Sequence, residues 1–163
     1  MKMSLISTAA CTLLATAAAA TAQTYPTKPI RLLVGFTAGS EVDVIGRMIA
    51  HEMGEKWGQR VVVDNRPGAG STVAGAIVAT ANPDGYTLFF NSVSHAATPA
   101  LYPRATFDTL KDFAGVTQAT SLPNVLIIAP AANVRGMKEL ITLVKQKPGM
   151  NYGHAGVGSG THI

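Results

Sequence analysis

Cysteine is nearly absent: Cys11 is the single one among 163 residues. A disulfide framework is therefore excluded, and so is a thiolate metal site. Charge is also scarce, at 13%, and aromatic residues make up 6%. The Lys and Arg are scattered, with no basic block or stripe, so the net charge of +4 does not point to nucleic acid. The four histidines, His51, His95, His154 and His162, lack metal-ligand spacing; His51 reads as a solvated helix residue. There is no P-loop and no Gly-x-Ser-x-Gly elbow. Beyond the first 22 residues no apolar run is long enough to span a bilayer.

What is present is a packable chain, 47% hydrophobic, of a length suited to about one domain. Residues 1–22 read as a signal peptide: Lys2, an Ala/Leu-rich stretch from Leu5 to Ala20, then Ala20-Thr21-Ala22, with cleavage after Ala22. Cys11 sits in the apolar stretch. Thr8 stands where a lipoprotein box wants an aliphatic residue, which speaks against lipidation. The mature chain would be exported to the periplasm and carry no cysteine.

The chain is organised around Ile30 to Arg47. Ile30, Leu32, Leu33, Val34 and Phe36 form an apolar, β-prone run that Thr37-Ala38-Gly39 breaks. Ser40 with Asp43 three positions later is a capping pattern. Ile45, Met48, Ile49, Met53 and Trp57 then recur at helical spacing, and Gly58 ends the helix. Val61-Val62-Val63 is a second strand. Arg66-Pro67-Gly68-Ala69-Gly70-Ser71 turns into a second helix with Val73, Ala74, Ile77, Val78 and Ala81 on one face. Asn82-Pro83-Asp84-Gly85 stops it, and Tyr86 to Phe90 is a third strand. This β-α-β-α-β order predicts an α/β fold with a parallel sheet.

Further on, Asn91 to Pro99 reads as a polar loop or short helix, and Thr106 to Phe113 as irregular. Ala114 to Ala119, Val125 to Ala129 and Asn151 to Ala155 read as strands, and Gly136 to Gln146 as an amphipathic helix. The last residues, Gly156 to Ile163, are a glycine turn into a helix that is not there. They predict that the sequence is a fragment, marginally stable and a weak ligand binder by itself.

Several motifs fail on inspection. Gly68-x-Gly70 begins a dinucleotide fingerprint, but Val73 stands where its third small residue belongs. Ser94, His95 and Asp112 could be drawn as a triad, but adjacency in sequence does not make that geometry. What recurs is a Gly/Ser/Thr-rich turn after a strand: Thr37 to Ser40, Asn91 to Ser94, and Gly156 to Thr161. Each offers amide and hydroxyl donors without a Lys or Arg. That suits holding a small carboxylate better than bond-making, which needs a tuned acid, base or nucleophile.

YPTKPIRLLVGF, the spaced Asp43 and Arg47, VVVDNRPGAGS, ANPDGYTLFF, Leu101-Tyr102-Pro103, FDTLKDFAGVT, SLPNVLIIAP, MKELITLVKQKPG and NYGHAGVGSGTH carry a resemblance. In these blocks, and in their order, the chain resembles the substrate-binding receptors of tripartite tricarboxylate transporters, the Bug family. The resemblance implies a two-lobed, type II periplasmic-binding-protein α/β fold with mostly parallel sheets. Residues 23–122 would then belong to the first lobe, and residues 123–163 would open a second, incomplete one. It implies a non-enzymatic, monomeric receptor that hands a small carboxylate to membrane transporter subunits, with no cofactor and no nucleic acid.

The same resemblance puts Phe36, Thr37, Ala38, Gly39 and Ser40 on one side of the ligand, with Ser92, Ser94 and His95 beside them. Gly156, Gly158, Ser159 and Thr161 would face them from the other lobe. Asp43 matches the family's aspartate, as a ligand contact or as a helix cap. The chain departs from the family at Gly39-Ser40-Glu41, where a glycine run is common, and at Val42. Glu41 would repel a second carboxylate, so the far end of the ligand is expected to be neutral or cationic unless Glu41 faces solvent. The competing expectations are an exported α/β hydrolase with Ser94 or Ser159 as nucleophile, and a fragment without function.

Overall fold

A computed structural model describes residues 25–163; the expected signal peptide and Cys11 lie outside the described residues. Three parallel strands form one sheet in the order β2-β1-β3: β1 is Ile30–Val34, β2 Val61–Asn65 and β3 Thr87–Phe90. Leu32 pairs with Val63 on one side and Leu88 on the other. The central strand of such a sheet is covered on both faces, so it reads as a continuous apolar run rather than an alternating one. Ile30, Leu32, Leu33 and Val34 are accordingly all buried. Arg31 is the exception; its guanidinium bonds the Asp64 carboxylate on β2.

Helix α1, Glu41–Trp57, follows β1. Its caps are those the sequence predicts. The Asp43 amide donates to Ser40 Oγ at 3.3 Å, and Gly58 adopts a left-handed φ of 64° with its amide on Gly54 O. The apolar periodicity, however, picks the buried face only in part: Ile45, Ile49 and Met53 are half-buried. The buried residues are Asp43, Gly46 and Ala50, whereas Met48 is 64% exposed and Trp57 also reaches solvent. The reason is close approach. A Cβ at Gly46 would lie 3.2 Å from Phe90 Cδ1 and 3.4 Å from Val34 Cγ2. Small residues let the helix settle onto the sheet, and the larger ones are left at its flanks.

Helix α2, Thr72–Ala79, stops before Ala81, and its buried residues are Ala74 and Gly75, with Val73 exposed. Phe107 accounts for this: its Cζ sits 2.7 Å from where a Gly75 Cβ would be. Asn82 to Gly85 forms the expected stop, with the Tyr86 amide on Asp84 Oδ1 at 3.0 Å and Tyr25 donating its hydroxyl to Gly85 O at 2.6 Å. Helix α3, Ser94–Leu101, settles the stretch after β3 as a helix.

Beyond α3 the structure differs from expectation. The strands expected over 114–119, 125–129 and 151–155 have no ladder partner among the described residues and are not strands. A strand exists only by pairing with a neighbour. Here the apolar residues meant for a sheet stand in solvent, Ile127 at 87% exposure being the extreme. Helix α4, Met137–Gln146, forms where predicted, with Met137, Ile141 and Val144 exposed along one stripe.

The two readings of α1 predict different mutational costs. Met48→Gln should change stability by no more than about 0.5 kcal/mol. Ala50→Leu should cost about 2 kcal/mol by overpacking. Urea unfolding of both variants checks this, and the reverse order would restore the face that periodicity picks.

Candidate functional site

The carboxyl ends of the three strands open into a cleft of about 790 Å³. Open α/β sheets bind ligands at this end. The rim comes from five stretches: Gly35 to Val42 after β1, Pro67 to Ser71 after β2, Phe89 to Val93 at the end of β3, Thr117 to Asn124, and Ala155 to Thr161. Its lining is rich in hydroxyls, and Glu41 is the one charged side chain in it among the described residues.

The first turn is built by Asp43. This carboxylate is 2% exposed yet fully engaged. Its Oδ2 accepts from the Gly39 amide at 2.8 Å and from Arg47 Nε at 3.0 Å; its Oδ1 accepts from Asn65 Nδ2 at 2.8 Å. Asn65 Nδ2 also donates to Phe36 O at 3.0 Å, and Arg47 Nη2 donates to Asn65 Oδ1 at 2.9 Å. Phe36 and Gly39, the two ends of the turn, are thereby tied to β2 and α1. The Arg47 hydrogen bond, helped by the Gly39 amide and Asn65, outweighs burial and holds the Asp43 carboxyl down at about 2. The first-turn amides of α1, at Glu41 and Val42, have no acceptor within the helix, and both residues face the cleft.

Of the residues the sequence picks out, Phe36, Thr37, Ser40, Ser92, Gly156, Ser159 and Thr161 line the cleft together. Ala38, Gly39, Asp43, Ser94, His95 and Gly158 do not. Asp43 serves as helix cap and turn clamp. Ser94 is buried, with Oγ 2.8 Å from Ser92 Oγ. His95 lies in an aromatic box, its ring centroid 4.8 Å from Phe113, 5.5 Å from Phe89 and 5.8 Å from Phe107. Burial pushes its pKa down, opposed by a hydrogen bond with the Thr109 backbone.

Neither candidate nucleophile meets a histidine: Ser94 Oγ pairs with Ser92, and Ser159 Oγ with Thr161 Oγ1 at 3.1 Å. No cluster of three or more metal-ligating side chains occurs among the described residues. Gly158 is excluded from the lining by close packing. A Cβ there would lie 2.7 Å from the Tyr102 hydroxyl and 3.1 Å from Gly70 Cα.

Sequence reasoning does not assign the Gly68–Ser71 turn, Tyr102 or the 117–124 rim to the site. The first carries a readable signal all the same: it is a fourth Gly/Ser-rich turn after a strand. The rim carries none: residues 117–119 read as the end of a strand, and residues 120–124 fall between two expected strands.

The Asp43 clamp makes acid stability predictable. Its carboxyl is lower in the folded chain than in the unfolded one. The stabilisation, about 2 kcal/mol, is complete above about pH 4 and is lost as pH falls through about 2. Asp43→Ala should cost about 3 kcal/mol and flatten that part of the profile. Denaturant melts between neutral and acid pH check both, and an unchanged acid limb in the variant would refute the assignment.

Comparisons with known proteins fall on one group. The profile of TctC, described as "Tripartite tricarboxylate transporter family receptor", matches residues 45–163. A UPF0065 protein of Bordetella pertussis is 41% identical over 155 residues, which is 93% of this chain and 47% of that one. The chain thus spans about half the length of that relative. Among solved structures, Rpa4515 of Rhodopseudomonas palustris with adipate superimposes with a TM-score of 0.63 at 30% identity, over 83% of this chain and 46% of that one. MatC from Rhodopseudomonas palustris with bound malate gives 0.52 at 37% identity, over 55% and 31%. With most of its length matched by the family profile, the chain belongs to the tripartite tricarboxylate transporter receptor family.

Proposed function

We propose that this chain is the ligand-capturing part of a periplasmic solute receptor, which binds a small carboxylate and delivers it to membrane transporter subunits without transforming it. The observation that carries the reading is the cleft itself. Hydroxyls and backbone amides converge on it at the sheet's carboxyl end, and no Lys, Arg or His lines it among the described residues. Neutral, preset donors hold an oxyanion reversibly, and Glu41 is the one charged side chain beside them among the described residues. The adipate and malate in the two similar structures support a carboxylate as the ligand.

In this reading Thr37, Ser40, Ser92, Ser159 and Thr161 are the contacting side chains. Phe36, Gly156 and the amides around Glu41 supply backbone and shape. Asp43, Ala38, Gly39, Ser94, His95 and Gly158 act from behind by holding those turns in place. Residues 23–122 belong to one lobe and residues 123–163 begin the other, so that hinge closure traps the ligand. The half of the family's length outside this chain provides strands to pair with 114–119, 125–129 and 151–155 and cover for α4. The receptor acts as a monomer in the periplasm, without cofactor or nucleic acid.

Because the second lobe is incomplete in this reading, affinity should be weak. Malate or adipate at millimolar concentration should shift the amide NMR signals of Thr37 to Ser40 and of Gly156 to Thr161. Absence of any shift with either acid would end the receptor reading. Glu41 faces the cleft, so Glu41→Gln should improve binding of adipate several-fold relative to a monocarboxylate. An unchanged ratio would show that Glu41 does not meet the ligand.

A further inference from the structure

Resting on the carboxylate reading above, we infer that the Gly68–Ser71 turn is a second oxyanion-holding element of the cleft. In it the Ser71 hydroxyl and the Ala69 and Gly70 amides take oxygens of the same carboxylate that the first turn binds.

Ser71 is 2% exposed, lines the cleft, and its Oγ has no hydrogen-bond partner among the described residues. A buried hydroxyl without a partner is costly, so such groups are normally satisfied. Ser71 is also the residue before α2, where a serine usually turns its oxygen back to cap the helix. Here it makes no capping bond. The hydroxyl is thus withheld from its ordinary use, buried and unpartnered in a residue that borders the cleft.

The backbone gives an independent reason. Gly68, Ala69, Gly70 and Ser71 have φ of 138°, 44°, 59° and 74° in succession. Ala69 and Ser71 are not glycine, so each is held in a conformation that costs energy. Turns with successive amides on one side make anion-binding concavities. The Ala69 and Gly70 amides precede the first acceptor inside their 3-10 turn and donate to no other backbone carbonyl among the described residues.

Placement says which group is addressed. A Cβ on Gly35 would lie 2.1 Å from Ser71 Cβ, so Ser71 is packed against the end of β1, immediately before Phe36. The two turns therefore meet around one position, not at opposite ends of a ligand. The ligand class is an acid recognised through a single carboxylate head, with a tail directed elsewhere in the cleft.

The test is Ser71→Gly in the 163-residue chain, titrated with malate and followed by amide NMR. Glycine suits the left-handed φ, so the melting temperature should hold or rise while malate affinity falls about tenfold. In the unsubstituted chain the Ala69 and Gly70 amides should shift with malate and stay still with its neutral diamide. If Thr37 to Ser40 shift while residues 69 to 71 do not, or if Ser71→Gly binds malate as the unsubstituted chain does, this inference is overturned and the receptor reading stands. If neither malate nor adipate shifts any residue, both fall together.

Discussion

The buried carboxylate of Asp43 is the constraint on which the rest of the site depends. One side chain accepts from the Gly39 amide, from Arg47 and from Asn65, and so fixes the end of β1, the start of α1 and the end of β2 relative to one another. A negative charge beside an anion site would ordinarily be a handicap. Here Arg47 and the hydrogen bonds from Gly39 and Asn65 absorb it, and the positive end of the α1 dipole lies beside it. What the cleft receives from this arrangement is its product, a rigid turn with amides facing the opening, and not the charge.

The same economy extends around the rim. A lysine or arginine in the cleft would bind an acid more strongly, but it would need desolvating each time the cleft empties and closes. Hydroxyls and amides are held by the fold and need no such rearrangement. In the receptor proposed above, release is as necessary as capture. A lining without a cation keeps both steps shallow in energy.

The sequence makes legible those parts of the fold that local chemistry decides. Ser40 and Gly58 cap α1 as written, the Asn82–Gly85 turn stops where its residues require, and β1 is recognisable because a strand covered on both faces must be apolar throughout. The face of α1 is only partly legible by periodicity, since its centre is decided by how closely Gly46 and Ala50 let the helix approach Phe90 and Val34. That is a matter of size, not of polarity. Residues 114–119 and 125–129 read as strands and are not, because pairing is non-local and an apolar run cannot provide a partner. At the site, the Thr37 and Ser159 turns are visible as composition. His95 looks chemical in the sequence and belongs to an aromatic box. Ser71 is overlooked because its motif is weighed only against a dinucleotide fingerprint.

Tyr102 offers a last consequence. Its ring lies 2.9 Å from where a Gly70 Cβ would be, its hydroxyl 2.7 Å from where a Gly158 Cβ would be, and the two glycines nearly touch. The rear of the cleft is in effect a fixed gauge, set by backbone against backbone with a phenol ring as shim. Substitution there can only break it, not adjust it. Room for a bulkier or longer ligand would have to be made at the front, along residues 117 to 124, where the polypeptide pairs with no sheet.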